Sequence, residues 1–140
     1  MYQDYLMVVA GKDKDGQVVN TAWSTLTGTS WTLISNSTTI FSKKEGVMLV
    51  PYDDKFFLLG GIEADGKASK DIHISSDYGI SWQTDTTRVF PSDYQARGFS
   101  SALVDNGQYI MLFAGKTANN SNELDQIWQG RINRLVSKKQ

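Results

Sequence analysis

An all-β fold is the reading supported by three features of this 140-residue chain. Strand-sized apolar runs recur, such as Phe56-Phe57-Leu58-Leu59 and Tyr109-Ile110-Met111-Leu112-Phe113, and no long window carries a 3.6-residue apolar period. A small residue and a glycine close three of these runs, at Ala10-Gly11, Gly60-Gly61 and Ala114-Gly115. The closing glycines lie 50 and 54 residues apart, and Trp31 and Trp82 lie 51 apart, so two independent markers give one repeat length.

A repeat of this length built from strands is the size of one β-propeller blade. Asp15-Gly16, Asp65-Gly66 and Asn119-Asn120 follow the closing glycines at the same distance, and these residue types accept the positive φ of a tight hairpin. Each marks a turn between a second and a third strand. First strands are expected at 46–50 and 98–104, third strands at 71–75 and 125–129, and a fourth strand begins near Trp82. Continuous apolar runs such as Val47-Met48-Leu49-Val50 suit strands covered on both faces. Alternation at Ile72-His73-Ile74, and around Ile127 between Gln126 and Trp128, suits strands with one wetter face. Segments 35–45 and 85–97 carry the chain from one blade to the next, pinned at Ile40-Phe41 and Val89-Phe90.

The expected architecture is a partial propeller of about three four-stranded antiparallel blades. Blade one (1–35) lacks its first strand, which would have to precede Met1, and blades two (36–84) and three (85–140) are complete, giving eleven strands. Three blades are fewer than the roughly four at which closed propellers begin. The open faces therefore call for a partner, either the remaining blades of a longer parent or a second copy of the chain.

Ser75-Ser76-Asp77-Tyr78-Gly79-Ile80-Ser81-Trp82 resembles the Asp box, a Ser-x-Asp-x-Gly-x-x-Trp turn between the outer strands of sialidase-like and related propellers. The acid can accept backbone N–H bonds, the glycine supplies a left-handed residue, and the tryptophan buries a large ring. The structural residues of this turn are thus Ser75, Asp77, Gly79 and Trp82. A degenerate copy keeps Ser24, Gly28 and Trp31 but has Leu26 at the acid position, and blade three departs further at Gln129-Gly130-Arg131. Residues 97–104 followed by 109–115 resemble a kelch repeat, with Phe99 in place of the usual histidine and Ala114 in place of one glycine. Together the motifs resemble the kelch-like, Asp-box propeller domains of uncharacterised exported proteins of Bacteroidetes-type bacteria. The resemblance implies an exported protein, at the periplasm or cell surface, and Asp boxes on the rim away from a ligand site.

Composition narrows the functional classes. Fourteen basic and fifteen acidic residues leave a formal charge of −1, so no basic footprint points to nucleic acid. No apolar run approaches the roughly 20 residues of a spanning helix. Met1-Tyr2-Gln3-Asp4 lacks the pattern that opens a secretory signal. The absence of cysteine excludes disulfides and thiolate metal sites.

Each candidate for chemistry has a structural reading that accounts for it. Asp13-Lys14-Asp15-Gly16 opens like a Ca²⁺ loop, yet Ser24 stands where the bidentate glutamate belongs, which leaves a hairpin turn. His73, the single histidine, falls on the strand face expected to meet solvent. Arg88, Arg97, Arg131 and Arg134 do not form the cluster a sialidase needs, and the histidine pair of a galactose-oxidase-like copper site is missing. Trp23, Trp31, Trp82 and Trp128 are expected between blades rather than in a sugar-stacking platform. Asp53-Asp54-Lys55 reads as a turn, and residues 137–140 as a solvated end. No catalytic, cofactor or metal residue is assigned. The expected function is a non-enzymatic binding or scaffold module presenting propeller loops to a glycan or protein; the alternative is a piece of a glycan-active enzyme whose catalytic residues lie in other blades.

Overall fold

The computed structural model describes residues 5–35, 41–107, 109–118 and 123–131, and every regular element among them is a strand. Leu6–Lys12 (β1), Val18–Thr25 (β2) and Thr32–Ser35 (β3) come first. Lys44–Glu45 (β4), Met48–Tyr52 (β5), Lys55–Leu59 (β6), Ile62–Glu63 (β7), Ile72–Ser75 (β8) and Gln83–Thr84 (β9) follow. Ser101–Asp105 (β10), Tyr109–Phe113 (β11) and Ile127–Arg131 (β12) complete the series. Three antiparallel sheets succeed one another as β1-β2-β3, β5-β6-β8-β9 and β10-β11-β12. The first has the three strands expected of blade one and the second the four of blade two. The third shows three, and the fourth strand expected there falls outside the described residues, as do Ile40, Asn119, Asn120, Arg134 and the 137–140 end. The short β4-β7 ladder, pairing Lys44 with Glu63 and Glu45 with Ile62, is an addition that apolar patterning did not anticipate.

The first strands of blades two and three begin later than the pattern suggests, at Met48 and Ser101. Gly46 and Phe99, with φ of 61° and 55°, interrupt the extended backbone ahead of them. The Phe99 N–H donates to the Gly46 carbonyl at 2.7 Å, and a Cβ on Gly46 would lie 2.7 Å from the Phe99 ring, so only glycine fits there. The third strand of blade three likewise starts at Ile127 rather than Asp125.

Alternation gives blade two two apolar faces, each covered by a neighbour. Met48, Val50, Phe57 and Leu59 join Ile110 and Leu112 of blade three in one core. Leu58 and Trp82 join Val9, Ala10 and Ala22 of blade one, with Phe41, in another. His73 is on this second face and is 3% exposed, packed with its ring centroid 5.7 Å from that of Phe41, which corrects its expected place in solvent. The period-2 alternation of β8 holds, but blade one covers the face that the polar residue occupies. Trp82 is buried as expected, whereas Trp23 and Trp31 are 38% and 41% exposed, so the inter-blade expectation fails for those two. They lie on or beside the sheet of blade one, whose outward face has no described blade against it.

The inter-blade connections are held by aromatic rings. Phe41 is buried beside Trp82, and Phe90 stacks on the buried Tyr94 at 4.1 Å. Val89 is instead 80% exposed and pins nothing, a second correction. Two residues before each left-handed position stands a fully buried cation, Lys44 in one connection and Arg97 in the other. The Lys44 ammonium donates to Ser69 Oγ at 3.0 Å and lies 3.4 Å from Asp71 and 3.7 Å from Glu63. Arg97 donates to the carbonyls of Gln95 and Ala114 and to Gln126 Oε1, with its guanidinium over the Tyr94 ring. Both cations tie a connection to the sheet that follows.

Candidate functional site

The 75–82 turn joins β8 to β9 and is closed by its own side chains. Ser75 Oγ donates to Asp77 Oδ1 at 2.8 Å and accepts the Gly79 N–H at 2.8 Å. Asp77 accepts the Ser81 N–H at 2.9 Å and the Ser81 hydroxyl at 2.5 Å. Trp82 Nε1 donates to the Gly79 carbonyl at 3.0 Å while its ring enters the core between blades one and two. Partial burial works against the charge of Asp77, but the bonds from Ser81 and Ser75 outweigh it and hold its carboxyl below the usual carboxylate range. All four residues singled out in the sequence therefore converge in one structural unit.

The blade-one counterpart is built differently from the expectation. Register pairs Ser75 with Phe56 and Thr25 with Leu6, two partners that stand five residues before Gly61 and Gly11, so Thr25 rather than Ser24 is the equivalent hydroxyl. Thr25 Oγ1 accepts the N–H groups of Thr27 at 3.3 Å and Gly28 at 3.0 Å. This turn is one residue shorter, which moves its glycine bond from the fourth residue to the third. Gly28 keeps its positive φ, and Trp31 stays exposed.

His73 Nδ1 meets Thr84 Oγ1 at 3.1 Å, and its Nε2 is buried without a hydrogen-bond partner among the described residues. Burial above all, and then the nearby Lys44 charge, push its pKa down to about 4 against the opposing effect of Asp71 and Glu63. A neutral imidazole enclosed between two sheets is a core residue.

A polar cleft of about 730 Å³ runs along the outer edge of blade two, from the 53–54 and 76–81 turns to Asp85. Hydroxyl and amide groups of Ser76, Ser81, Gln83, Thr84, Thr86 and Thr87 dominate its lining, over a base that includes Tyr52 and Phe57. At its far end Asp85 Oδ1 accepts the N–H groups of Thr87 and Arg88 and the Thr87 hydroxyl, while Oδ2 pairs with the Arg88 guanidinium. Burial raises the Asp85 pKa and these bonds more than reverse it, to about 2. Lys55 also lines the cleft. Asp53 and Asp77 line it as well, so the cleft sets charges of both signs among its neutral hydrogen-bonding groups, with the Asp85–Arg88 pair internally satisfied. Sequence reading missed this cleft, because scattered Ser, Thr and Gln residues carry no spacing signal; the Asp85-x-Thr87 turn pattern is the one local cue, and it is common in loops.

Among the described arginines, Arg97 is buried in the connection to blade three, Arg88 lies at the cleft paired with Asp85, and Arg131 is exposed on β12. Asp13 Oδ1 accepts the N–H groups of Asp15 and Gln17, the geometry of a hairpin turn. No three His, Cys, Asp or Glu residues among the described residues gather as metal ligands. No described helix is long and apolar enough to cross a membrane.

A search of curated proteins finds none that matches the chain. A family model described as DUF6242 beta propeller domain matches residues 1–140, the whole chain, in keeping with the succession of antiparallel blades, and the chain belongs to that family.

Proposed function

We propose that this chain is a non-enzymatic binding module of an exported propeller protein, and that its polar cleft holds a neutral glycan. The observation that carries the reading is the concentration of uncharged donors and acceptors in the cleft, from Ser76, Ser81, Gln83, Thr84, Thr86 and Thr87, beside Asp53, Lys55 and Asp77 and an internally satisfied Asp85–Arg88 pair, a mixture of polar groups that matches the hydroxyl groups of a saccharide. Support for a non-enzymatic role comes from the side chains with chemical potential. His73, Lys44, Arg97 and Asp77 are each engaged in packing or turn closure. The hydrogen bonds of the 75–82 turn support the Asp-box reading of that segment, and the cleft lies beside the turn, where that resemblance would not put a ligand. Further blades, in a longer parent or a second copy, are proposed to cover the open faces. Screening the chain against an array of neutral and acidic oligosaccharides tests the assignment. Binding of a neutral glycan that weakens about tenfold or more in Gln83→Ala/Thr86→Ala, with unchanged melting temperature, is the expected result, on the scale of two lost hydrogen bonds. Binding that the double variant leaves intact would move the site elsewhere.

A further inference from the structure

The second strands of the three blades end in one conformation, which fixes how the blades superpose. Ala10-Gly11, Gly60-Gly61 and Ala114-Gly115 take successive positive φ values of 61° and 99°, 63° and 99°, and 55° and 109°. On that phase β6 and β11 hold the same place in their blades, and each pairs along one edge with a first strand of five residues, β5 or β10. β1 is the equivalent strand of blade one. It pairs with β2 on one side, and no strand among the described residues pairs with the other. This edge runs through Leu6-Met7-Val8-Val9 with neither charge nor proline to blunt it, whereas β5 carries Pro51 and β10 ends in Asp105. A crevice of about 700 Å³ opens between blades one and two, lined by Met7 and Ser24 on one side and Leu49, Pro51 and Phe56 on the other. No described residue of its lining carries a charge. The matching place between blades two and three is filled, because Ala102 and Val104 of β10 pack on Met48, Val50 and Tyr52 of β5. Leu49 and Pro51, on the opposite face of β5, have no such strand against them, and Pro51 is exposed.

We propose that β1 accepts a strand donated by another polypeptide, which pairs antiparallel along Leu6–Val9 and sets alternate apolar side chains against β5. Main-chain hydrogen bonds supply the affinity of such a contact and the alternate side chains its specificity. The repeat gives the register. Val50 pairs with Phe57 and Met48 with Leu59 in blade two, so the donor residues equivalent to Val50 and Met48 lie opposite Met7 and Val9. A folded second copy has no strand of this kind to give among its described residues, since β5 and β10 are both paired within their own blades. The edge is separate from the polar cleft and from the outward faces that further blades would cover.

The probe is a synthetic peptide of residues 43–53, which contains the β5 strand with Lys43, Lys44, Glu45 and Asp53 for solubility, titrated as a fluorescein conjugate into the full 140-residue chain. Saturable binding is expected, with hydrogen exchange of the Leu6–Val9 segment slowed about tenfold or more in the complex. Met48→Lys/Val50→Lys in the peptide should weaken binding about tenfold or more, whereas Leu49→Lys should change it by no more than about twofold, because neighbouring residues of a strand point to opposite faces. These changes leave the protein itself untouched, so its folding does not enter the comparison. Equal weakening by the two peptide changes, or protection gained elsewhere than Leu6–Val9, would overturn the site. Leu6–Val9 amides already protected in the free chain would overturn it too, since the chain itself or a second copy would then hold the edge, and so would the absence of saturation.

Discussion

At the residue scale, His73 shows how much one neighbour decides. Its alternation with Ile72 and Ile74 is plain in the sequence, but whether the second face of β8 is wet depends on blade one, some fifty residues away. Enclosure there makes stability depend on pH. Free histidine titrates near 6.5 and His73 in the fold near 4, so the unfolded chain binds more protons between those values. Its contribution is complete above about pH 6.5, declines as pH falls toward about 4 and then levels, for a total on the order of 3 kcal/mol. Urea denaturation between pH 7 and pH 4.5 checks this against His73→Phe, a ring suited to the contact with Phe41. The parent should lose stability across that range by more than the variant does; parallel curves would show that the imidazole is not the titrating group.

At the element scale, the strands and hairpins were legible because period-2 patterning and turn residues act locally, and the Ser75 to Trp82 turn was legible because all its partners lie within eight residues. The connections between blades were not. Phe90 and Tyr94 pin one of them while Val89 faces solvent, a choice made by the blade surface below and not by the segment itself. The β4-β7 ladder hides for a related reason, since Lys44 looks like a surface residue until Ser69, Asp71 and Glu63 surround it. Its partners keep contact with water, with side chains 34% and 53% exposed for Glu63 and Asp71, so removing the cation strands no buried charge. Lys44→Met, which retains the aliphatic stem, is therefore expected to stay within about 1 kcal/mol of the parent. Lys44→Ala opens a cavity and should cost about 3 kcal/mol. Thermal unfolding of the two variants decides the matter, and a Met variant as unstable as the Ala variant would show that the ion pairs, rather than the packing of the stem, hold the ladder.

At the scale of the whole molecule, the repeat makes each face of each blade comparable with its counterparts. Leu58, His73 and Thr84 form one row across blade two, and Val8, Trp23 and Leu33 form the equivalent row across blade one. Blade one covers the inner part of the first row, where Leu58 is 0% exposed, whereas Val8 in the second row is 51% exposed. Blade three presents Leu103 and Ile127 on its own outward side. Apolar rows of this kind are buried wherever the repeat continues, which is why the exposure of Trp23 departs from the expectation while Trp82 meets it. Among the described residues both outward faces are uncovered, and each uncovered Val or Leu forgoes roughly 1.5–3 kcal/mol of burial. We therefore expect the 140-residue chain to self-associate in dilute buffer. Val8→Lys/Leu33→Glu, which charges the row without touching either described core, should shift it toward monomer with little change in its circular dichroism. Light scattering reads both outcomes. A monodisperse 15.6 kDa monomer for the parent chain, unfolding cooperatively, would mean that an open blade face is tolerated in water and that the exposed row of blade one does not demand a further blade.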